Sequence, residues 1–171
     1  MRLKAFAASV FLSILSTPAF MSSAWAADGL VVHHELSMEM AEKIARGAID
    51  ACRGLGFHTT ITVIDSGGLM KAFLRDEDTG PHTIDLSGAK AYTALTLASR
   101  FKTSLDFATQ RNSTLGSPMT NIKGVVGIGG GVPIKFHDEV IGAVGSSGAV
   151  GGDKDEVCAN AGIAKVADQL K

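Results

Sequence analysis

The sequence predicts an α+β domain in which an antiparallel sheet lies between helices. Two pairs of short apolar segments are each joined by a tight polar turn, at Ser66-Gly67-Gly68 and at His137-Asp138-Glu139. This is the pattern of β-hairpins, whose strands pair antiparallel. Stretches with helical spacing occur before, between and after the hairpins. Because each such helix must bury an apolar stripe, we expect helices against the faces of the sheet.

The first predicted helix covers residues 37–54. Ser37 is a suitable N-cap residue, apolar residues then recur at helical spacing, and glycines at 54 and 56 end the pattern. The first hairpin follows, with strands over 59–65 and 69–75 that are rich in β-branched and apolar residues. A polar loop over 76–81 separates this hairpin from the next helix.

The second half of the chain begins with an alanine-rich helix over 84–99 and a weaker helical segment over 104–110. A loop is predicted over 112–121 and a strand over 124–128. The second hairpin pairs 132–136 with 140–144, and Asp153 caps a last helix whose apolar stripe reaches Leu170. The predicted order is therefore helix, two strands, helices, two or three strands, helix.

Glycine is unusually frequent around the second hairpin, above all at Gly129, Gly130 and Gly131. Glycine weakens an ordinary strand, so its repeated use indicates that something approaches the backbone closely. A ligand or a neighbouring subunit would meet this requirement. The run leads into a strand and not into a helix, so it lacks the phosphate-binding geometry of a dinucleotide site.

The N-terminus has the pattern of a secretory signal peptide. Arg2 and Lys4 precede an apolar run over 5–15, and Ala24-Trp25-Ala26 supplies the small-x-small cleavage pattern. The apolar run is too short to span a bilayer. We predict a signal peptide over 1–26, a flexible segment over 27–36, and one domain over 37–171 in the periplasm or outside the cell.

The charge pattern argues against partners that are polyanions or membranes. The chain has 16 basic and 17 acidic residues, and no basic cluster follows the predicted signal peptide. The electrostatic footprint of a nucleic-acid-binding protein is therefore missing. No second apolar stretch reaches the length of a membrane span, so the mature chain is expected to be soluble.

Cys52 and Cys158 are the two cysteines of the chain, and each falls inside a predicted helix. Their spacing is not that of a zinc site. Cysteine is often an ordinary core residue, so two buried free thiols are the favoured interpretation. The alternative is a disulfide, which an oxidising compartment would permit if the first and last helices packed antiparallel on one sheet face.

Three blocks of the sequence together resemble the GlcG/HbpS-like family, to which the C-terminal domain of PduO-type proteins also belongs. They read TVIDSGG, GPHTIDLSGAKAYTA and GGGVPIKFHDEVIGAVGSSGAVGGDKDE, and the resemblance covers about residues 36–171. At Gly145-Ser146-Ser147-Gly148 this chain departs from the usual Gly-Val-Ser-Gly. The resemblance implies a profilin-like α/β/α fold with a five-stranded antiparallel sheet, and binding of haem or a related tetrapyrrole.

Candidate site residues surround the predicted start of the alanine-rich helix. His82 follows a rigid Gly-Pro turn at a helix N-terminus, whose dipole disfavours an added positive charge, and a neutral imidazole can bind a metal ion. His82 is therefore the candidate haem-iron donor, Lys90 and Arg75 are candidates for binding propionates, and Asp85 and the glycines 129–131 complete the predicted site. The alternative for His82 is an ordinary surface loop histidine.

Other interpretations of these residues remain open. Lys90 lies in a helix that looks buried, so it needs either a ligand carboxylate, which we favour, or an ion-pair partner such as Asp65 or Asp85. An enzyme acting on a small oxo- or hydroxy-carboxylate could use the same acids and cations. A homo-oligomeric accessory protein without ligand chemistry would need only the fold. His137 is expected to be an exposed residue at a hairpin tip.

Overall fold

The computed structural model of the chain describes residues 29–110 and 121–171. The predicted signal peptide and most of the predicted loop over 112–121 lie outside these residues. The described elements are helices α1 (Met38–Gly54), α2 (His82–Thr96), α3 (Ser104–Gln110) and α4 (Gly152–Ala164), and strands β1 (Thr60–Asp65), β2 (Met70–Arg75), β3 (Gly131–Phe136) and β4 (Glu139–Ser147). The predicted helices and hairpins are present, and α2 begins two residues before its predicted start.

The four strands form one antiparallel sheet in the order β2-β1-β4-β3. Each hairpin is a neighbouring pair, and β1 pairs with β4 to join the two, with Val63 opposite Val144. The order puts β2 and β3 at the edges. Pro133 in β3 is compatible with this position, because an edge strand tolerates the missing N–H group of proline.

Helices cover both faces of the sheet. On one face, α1 and α4 pack against Ile61, Val63 and Val144 in the main hydrophobic core. On the other face α2 lies across the sheet. The hydroxyl of Thr60 lies 2.7 Å from that of Thr83 in the helix, and the hydroxyl of Thr62 lies 2.7 Å from that of Ser87. Gly145 allows the backbone of α2 to approach the sheet closely, since a Cβ at this position would collide with the backbone of Ser87.

The α1 helix forms for reasons that are visible in its sequence. The Ser37 side chain accepts a hydrogen bond from the N–H of Met40, as expected of an N-cap residue. Ala41, Ile44 and Ala48 then recur on one face and are fully buried. The helix therefore presents a narrow stripe of small residues to the sheet and to α4.

The expected fifth strand, over 124–128, is not formed in the described part of the chain, so the five-stranded sheet is corrected to four strands. Val126 donates its backbone N–H to the Thr93 hydroxyl at 2.9 Å, so the segment is hydrogen-bonded to α2 and not to a strand. Gly124 has φ of +88°, which is outside the β region. The β-branched residues of this segment favour a strand, but its glycines and its hydrogen bond to Thr93 make it a loop.

Cys52 and Cys158 form a disulfide, with their Cα atoms 5.3 Å apart. The favoured interpretation of two free thiols is therefore wrong. The bond joins the C-terminal part of α1 to the middle of α4, while Gly162, further along α4, lies against Ile44 and Ala48, earlier in α1. The helices therefore run antiparallel, which is the arrangement that brings the cysteines together.

The end of the N-terminal segment contacts the sheet turns. Leu36 is fully buried in the main core, and the Glu35 carboxylate accepts a 2.7 Å hydrogen bond from the Ser66 hydroxyl. Nδ1 of His34 lies 2.6 Å from Glu139 Oε2, and this hydrogen bond lowers the pKa of Glu139. Across the described ranges, no helix has the length and apolar character needed to cross a membrane.

Candidate functional site

The first turns of α2 form one wall of an open groove of about 380 Å³. His82, Asp85, Leu86 and Ala89 line it, together with Val126 from the segment before β3. The spacing i, i+3, i+4, i+7 puts the four helix residues on one face. We call this the His82 groove. It combines an imidazole and a carboxylate at one end with an apolar surface along the helix.

His82 is exposed at the first position of α2, and its ring folds back over Gly80. A side chain at residue 80 would overlap the imidazole, because a Cβ there would lie 2.7 Å from His82 Cε1. Among the described residues, His82 has no hydrogen-bond or ion-pair partner. Its ring nitrogens are therefore available to a ligand.

The loop that precedes His82 is held firmly. Arg53 from α1 donates two hydrogen bonds to the buried carboxylate of Asp76, at 2.9 and 2.7 Å, and these hydrogen bonds hold the pKa of Asp76 well below its usual range. Thr83 donates its hydroxyl to the carbonyl of Gly80. Anchors at both ends of the loop fix the position of the imidazole.

Arg75 and Lys90, the predicted cations, do not line the His82 groove. Arg75 donates a hydrogen bond to the carbonyl of Thr79 within the same loop. Lys90 is buried, and its Nζ lies 2.6 Å from Asp155 Oδ2 and 3.0 Å from the carbonyl of Ser146. Its partner is thus in α4, and neither Asp65 nor Asp85 fills that role.

Asp155 was missed by the sequence analysis, although it is buried and completes a polar cluster between α2, β4 and α4. Its Oδ1 accepts from the Ser146 hydroxyl and from the backbone N–H of Ala149, each at 3.1 Å. Burial raises the pKa of Asp155, against the lowering effect of Lys90. An acidic residue in the first turn of a helix is favoured by the dipole in any case, so the sequence contained no specific signal for it.

The three predicted site glycines are buried against the chain's own helices. A side chain at Gly131 would collide with the backbone of Lys90, and one at Gly130 with Ser146 and Asp155. A side chain at Gly129 would collide with Leu105. The close approach predicted from these glycines exists, and what approaches is α2, α3 and α4. None of the three lines the His82 groove.

The remaining candidates lie apart from this groove. Asp65 accepts a hydrogen bond from the N–H of Leu69 in the β1–β2 turn. His137 is exposed at the β3–β4 turn with φ of +51°. Within the described ranges, no group of three or more His, Cys, Asp or Glu residues could hold a metal ion. A metal at His82 would therefore have to bring most of its own ligands.

Comparison with protein families identifies a match over residues 36–164 to the model described as haem-degrading protein HbpS-like. Among curated proteins, the chain is 31% identical over 113 residues to an uncharacterised 15.0 kDa protein of the dhaT–dhaS intergenic region of Citrobacter freundii. That alignment covers 66% of this chain and 80% of the relative.

Solved structures of similar fold agree with this match. The crystal structure of HbpS is 29% identical with a TM-score of 0.72, and the alignment covers 80% of this chain and 93% of that one. A double mutant of Streptomyces reticuli HbpS is also 29% identical, with a TM-score of 0.73 over 86% and 97% of the two chains. The PduOC:haem complex shares the fold at 24% identity, with a TM-score of 0.67 over 77% and 95%.

Proposed function

Since this chain belongs to the family of HbpS-like haem-degrading proteins, we propose that it binds haem or a related tetrapyrrole, with His82 as the axial donor. The observation that carries the proposal is an unpaired imidazole at one end of an apolar helix face, held by an anchored loop. The solved structure of the PduOC:haem complex has the same fold.

The chemistry of the His82 groove fits one side of such a ligand. Haem brings an iron that accepts an axial ligand such as imidazole, and an apolar macrocycle that needs an apolar surface. His82 would supply the nitrogen, while Leu86, Ala89 and Val126 would pack against the macrocycle. Asp85 at the same end would disfavour the propionates there, so they would point away from the start of α2.

The groove is open, so a bound macrocycle would keep one face uncovered by this chain. We propose that a second copy of the chain covers that face, which agrees with the expected homo-oligomer. Light scattering with and without haemin tests this. Ile128 is an exposed apolar residue close to the groove in sequence. If Ile128→Glu leaves the assembly unchanged, this would count against a second copy covering the His82 groove.

We also propose that the chain is exported to the periplasm or beyond. The pattern over residues 1–26 and the disulfide between Cys52 and Cys158 both support this, because disulfides persist in oxidising compartments. The intact mass of protein recovered from the periplasm should correspond to a chain that begins at Ala27. A mass that includes residue 1 would contradict cleavage.

Haemin titration of the purified mature chain tests the main proposal. We expect a Soret band that shifts on binding, and we expect His82→Ala to lower the affinity about tenfold or more, since one coordinate bond is lost. The far-ultraviolet circular dichroism should not change, because the exposed imidazole supports no other described residue.

His137→Ala is the matched control, since it also removes an exposed histidine, here from the β3–β4 turn. It should leave the Soret band unaltered. If the band persists in His82→Ala but is lost when His33 and His34 are replaced, the donor lies in the N-terminal segment and the placement at α2 is wrong. Absence of any spectral change with the unaltered chain would reject tetrapyrrole binding itself.

A further inference from the structure

A second cavity, larger than the His82 groove, lies on the opposite side of the sheet from α2. It has a volume of about 690 Å³ and is formed by α1 between Glu42 and Asp50, by the edge strand β2 between Lys71 and Leu74, and by Lys165 just after α4. We call it the α1–β2 groove. Its volume is within the range of small-molecule sites, and it shares no residue with the His82 groove.

The floor of the α1–β2 groove is apolar. Ala45 is fully buried and Ala72 is 9% exposed, and both belong to the main hydrophobic core against which Leu74 also packs. Because Ala45 and Ala72 have almost no exposed surface, it is the half-buried Leu74, held against this rigid core, that offers a ligand an apolar surface. A ligand with a hydrocarbon body would remove this surface from water, which is favourable.

The rim of the groove is predominantly cationic. Four basic side chains, Lys43, Arg46, Lys71 and Lys165, face two acidic ones, Glu42 and Asp50, whereas the whole chain has a net charge of −1. Lys43 is paired with Glu39 at 2.7 Å. Within the described residues, Arg46 and Lys165 have no carboxylate within 4 Å, so both are available to an anion.

Lys165 reaches the groove because α1 has a glycine beneath it. A Cβ at Gly47 would lie 2.5 Å from Lys165 Cγ, so the lysine stem passes directly over the backbone of α1. Lys165 thereby lines the same groove as Arg46. A lysine stem against apolar surface with its charge in water is a favourable arrangement.

We infer that the α1–β2 groove binds a small organic carboxylate with an apolar body, such as a medium-chain fatty acid. Arg46 would bind the carboxylate in a bidentate manner and Lys165 would add a second cation. Since Lys43 is paired with Glu39, three rim cations remain against two rim carboxylates, and this excess of one positive charge matches a singly charged carboxylate better than a doubly charged phosphate. This inference does not depend on haem binding at His82.

Isothermal titration calorimetry with octanoate at low ionic strength tests the inference. Octanoate should bind about tenfold more tightly than 1-octanol, because a charge-assisted hydrogen bond adds to the burial of the same hydrocarbon. Arg46→Ala/Lys165→Ala should weaken octanoate binding about tenfold or more. Added salt should weaken binding to the unaltered chain, since exposed charges are screened.

Arg100→Ala/Lys135→Ala is the matched control, because it removes the same two residue types from exposed positions outside the groove. It should bind octanoate like the unaltered chain. Equal affinity for octanol and octanoate, full binding by the Arg46/Lys165 variant, or no heat with octanoate would each overturn the inference. Octyl phosphate binding more tightly than octanoate would overturn the choice of carboxylate.

Haemin titration of the same variants separates this site from the proposed haem site. The Arg46/Lys165 variant should give the Soret band of the unaltered chain, and His82→Ala should bind octanoate normally. If the Arg46/Lys165 variant lost haemin and octanoate together, the tetrapyrrole would occupy the α1–β2 groove, and two separate sites would be excluded.

Discussion

The buried ion pair of Lys90 and Asp155 connects α2 to α4. Both side chains are about 3% exposed and their charged atoms are 2.6 Å apart. Such a pair adds little stability compared with apolar residues of the same size, but removing one partner leaves an uncompensated charge in the core. The pair therefore specifies how α2, β4 and α4 meet more than it adds to stability.

Lys90→Met should lower the free energy of unfolding by about 3–5 kcal/mol, because Asp155 keeps its buried charge without a counterion. Lys90→Met/Asp155→Asn should recover part of this loss, since asparagine can still accept from Ser146 and Ala149. Urea unfolding measures both. Lys135→Met, at an exposed position, should change stability by no more than about 0.5 kcal/mol; a similarly small effect at residue 90 would refute the role of the pair.

The sequence revealed that Lys90 needs a partner but not which one. Burial of residue 90 could be predicted from its apolar helical neighbours, whereas Asp155 lies 65 residues further along the chain. Only the packing of α4 brings the two together. His82 was easier to place, because its position depends on the adjacent Gly-Pro turn and helix start, which are local features.

At the scale of elements, the short helix α3 depends on a side chain of α4. Glu156 Oε1 accepts from the backbone N–H of Leu105 at 2.8 Å and from that of Gly130 at 3.4 Å. One carboxylate therefore joins α3 and the segment before β3 to α4. Burial raises the pKa of Glu156, against the lowering effect of these N–H groups.

Glu156→Ala should destabilise the chain by about 1–3 kcal/mol, because the N–H groups of Leu105 and Gly130 lose their acceptor. Glu156→Gln retains an acceptor oxygen without the charge, so its effect near pH 4 should be less than about 1 kcal/mol. Hydrogen exchange at Leu105 and urea unfolding would measure these effects. Equal losses in the two variants would show that the acceptor oxygen is unimportant.

The raised pKa of Glu156 also predicts a pH dependence. The unfolded chain ionises this residue near the ordinary value of about 4.3, and the folded chain does so at higher pH. Between the two values the folded state holds more protons, so this residue makes stability fall as pH rises. Glu156→Gln should lack that fall, and its stability relative to the unaltered chain should increase with pH across the window.

Hairpins and long helices were predictable at this scale because their periodicity is local. The segment over 124–128 was not, since its β-branched residues suit a strand while its glycines and the Thr93 hydroxyl hold it against α2. Whether such a segment pairs with a sheet depends on which hydrogen-bond partner is nearer. That is a property of the assembled layers and not of the segment.

For the whole molecule, the disulfide between Cys52 and Cys158 links residues 106 positions apart. Reduction should lower the free energy of unfolding by about 4–5 kcal/mol in the chain-entropy model. Urea unfolding with and without a reductant measures this, and Cys52→Ala/Cys158→Ala should show no response to the reductant. Two thiols titrating in denatured protein that was never reduced would contradict the bond.

The chain can complete its fold only late in synthesis. Two of its main contacts are long-range, because α1 packs antiparallel on α4 and β1 pairs with β4. Both contacts join early and late parts of the sequence, and contacts of high sequence separation form slowly. The apolar stripe of α1 therefore has no complete partner surface until residues near Ala164 have been synthesised. During synthesis this stripe stays exposed, which makes the growing chain a target for chaperones.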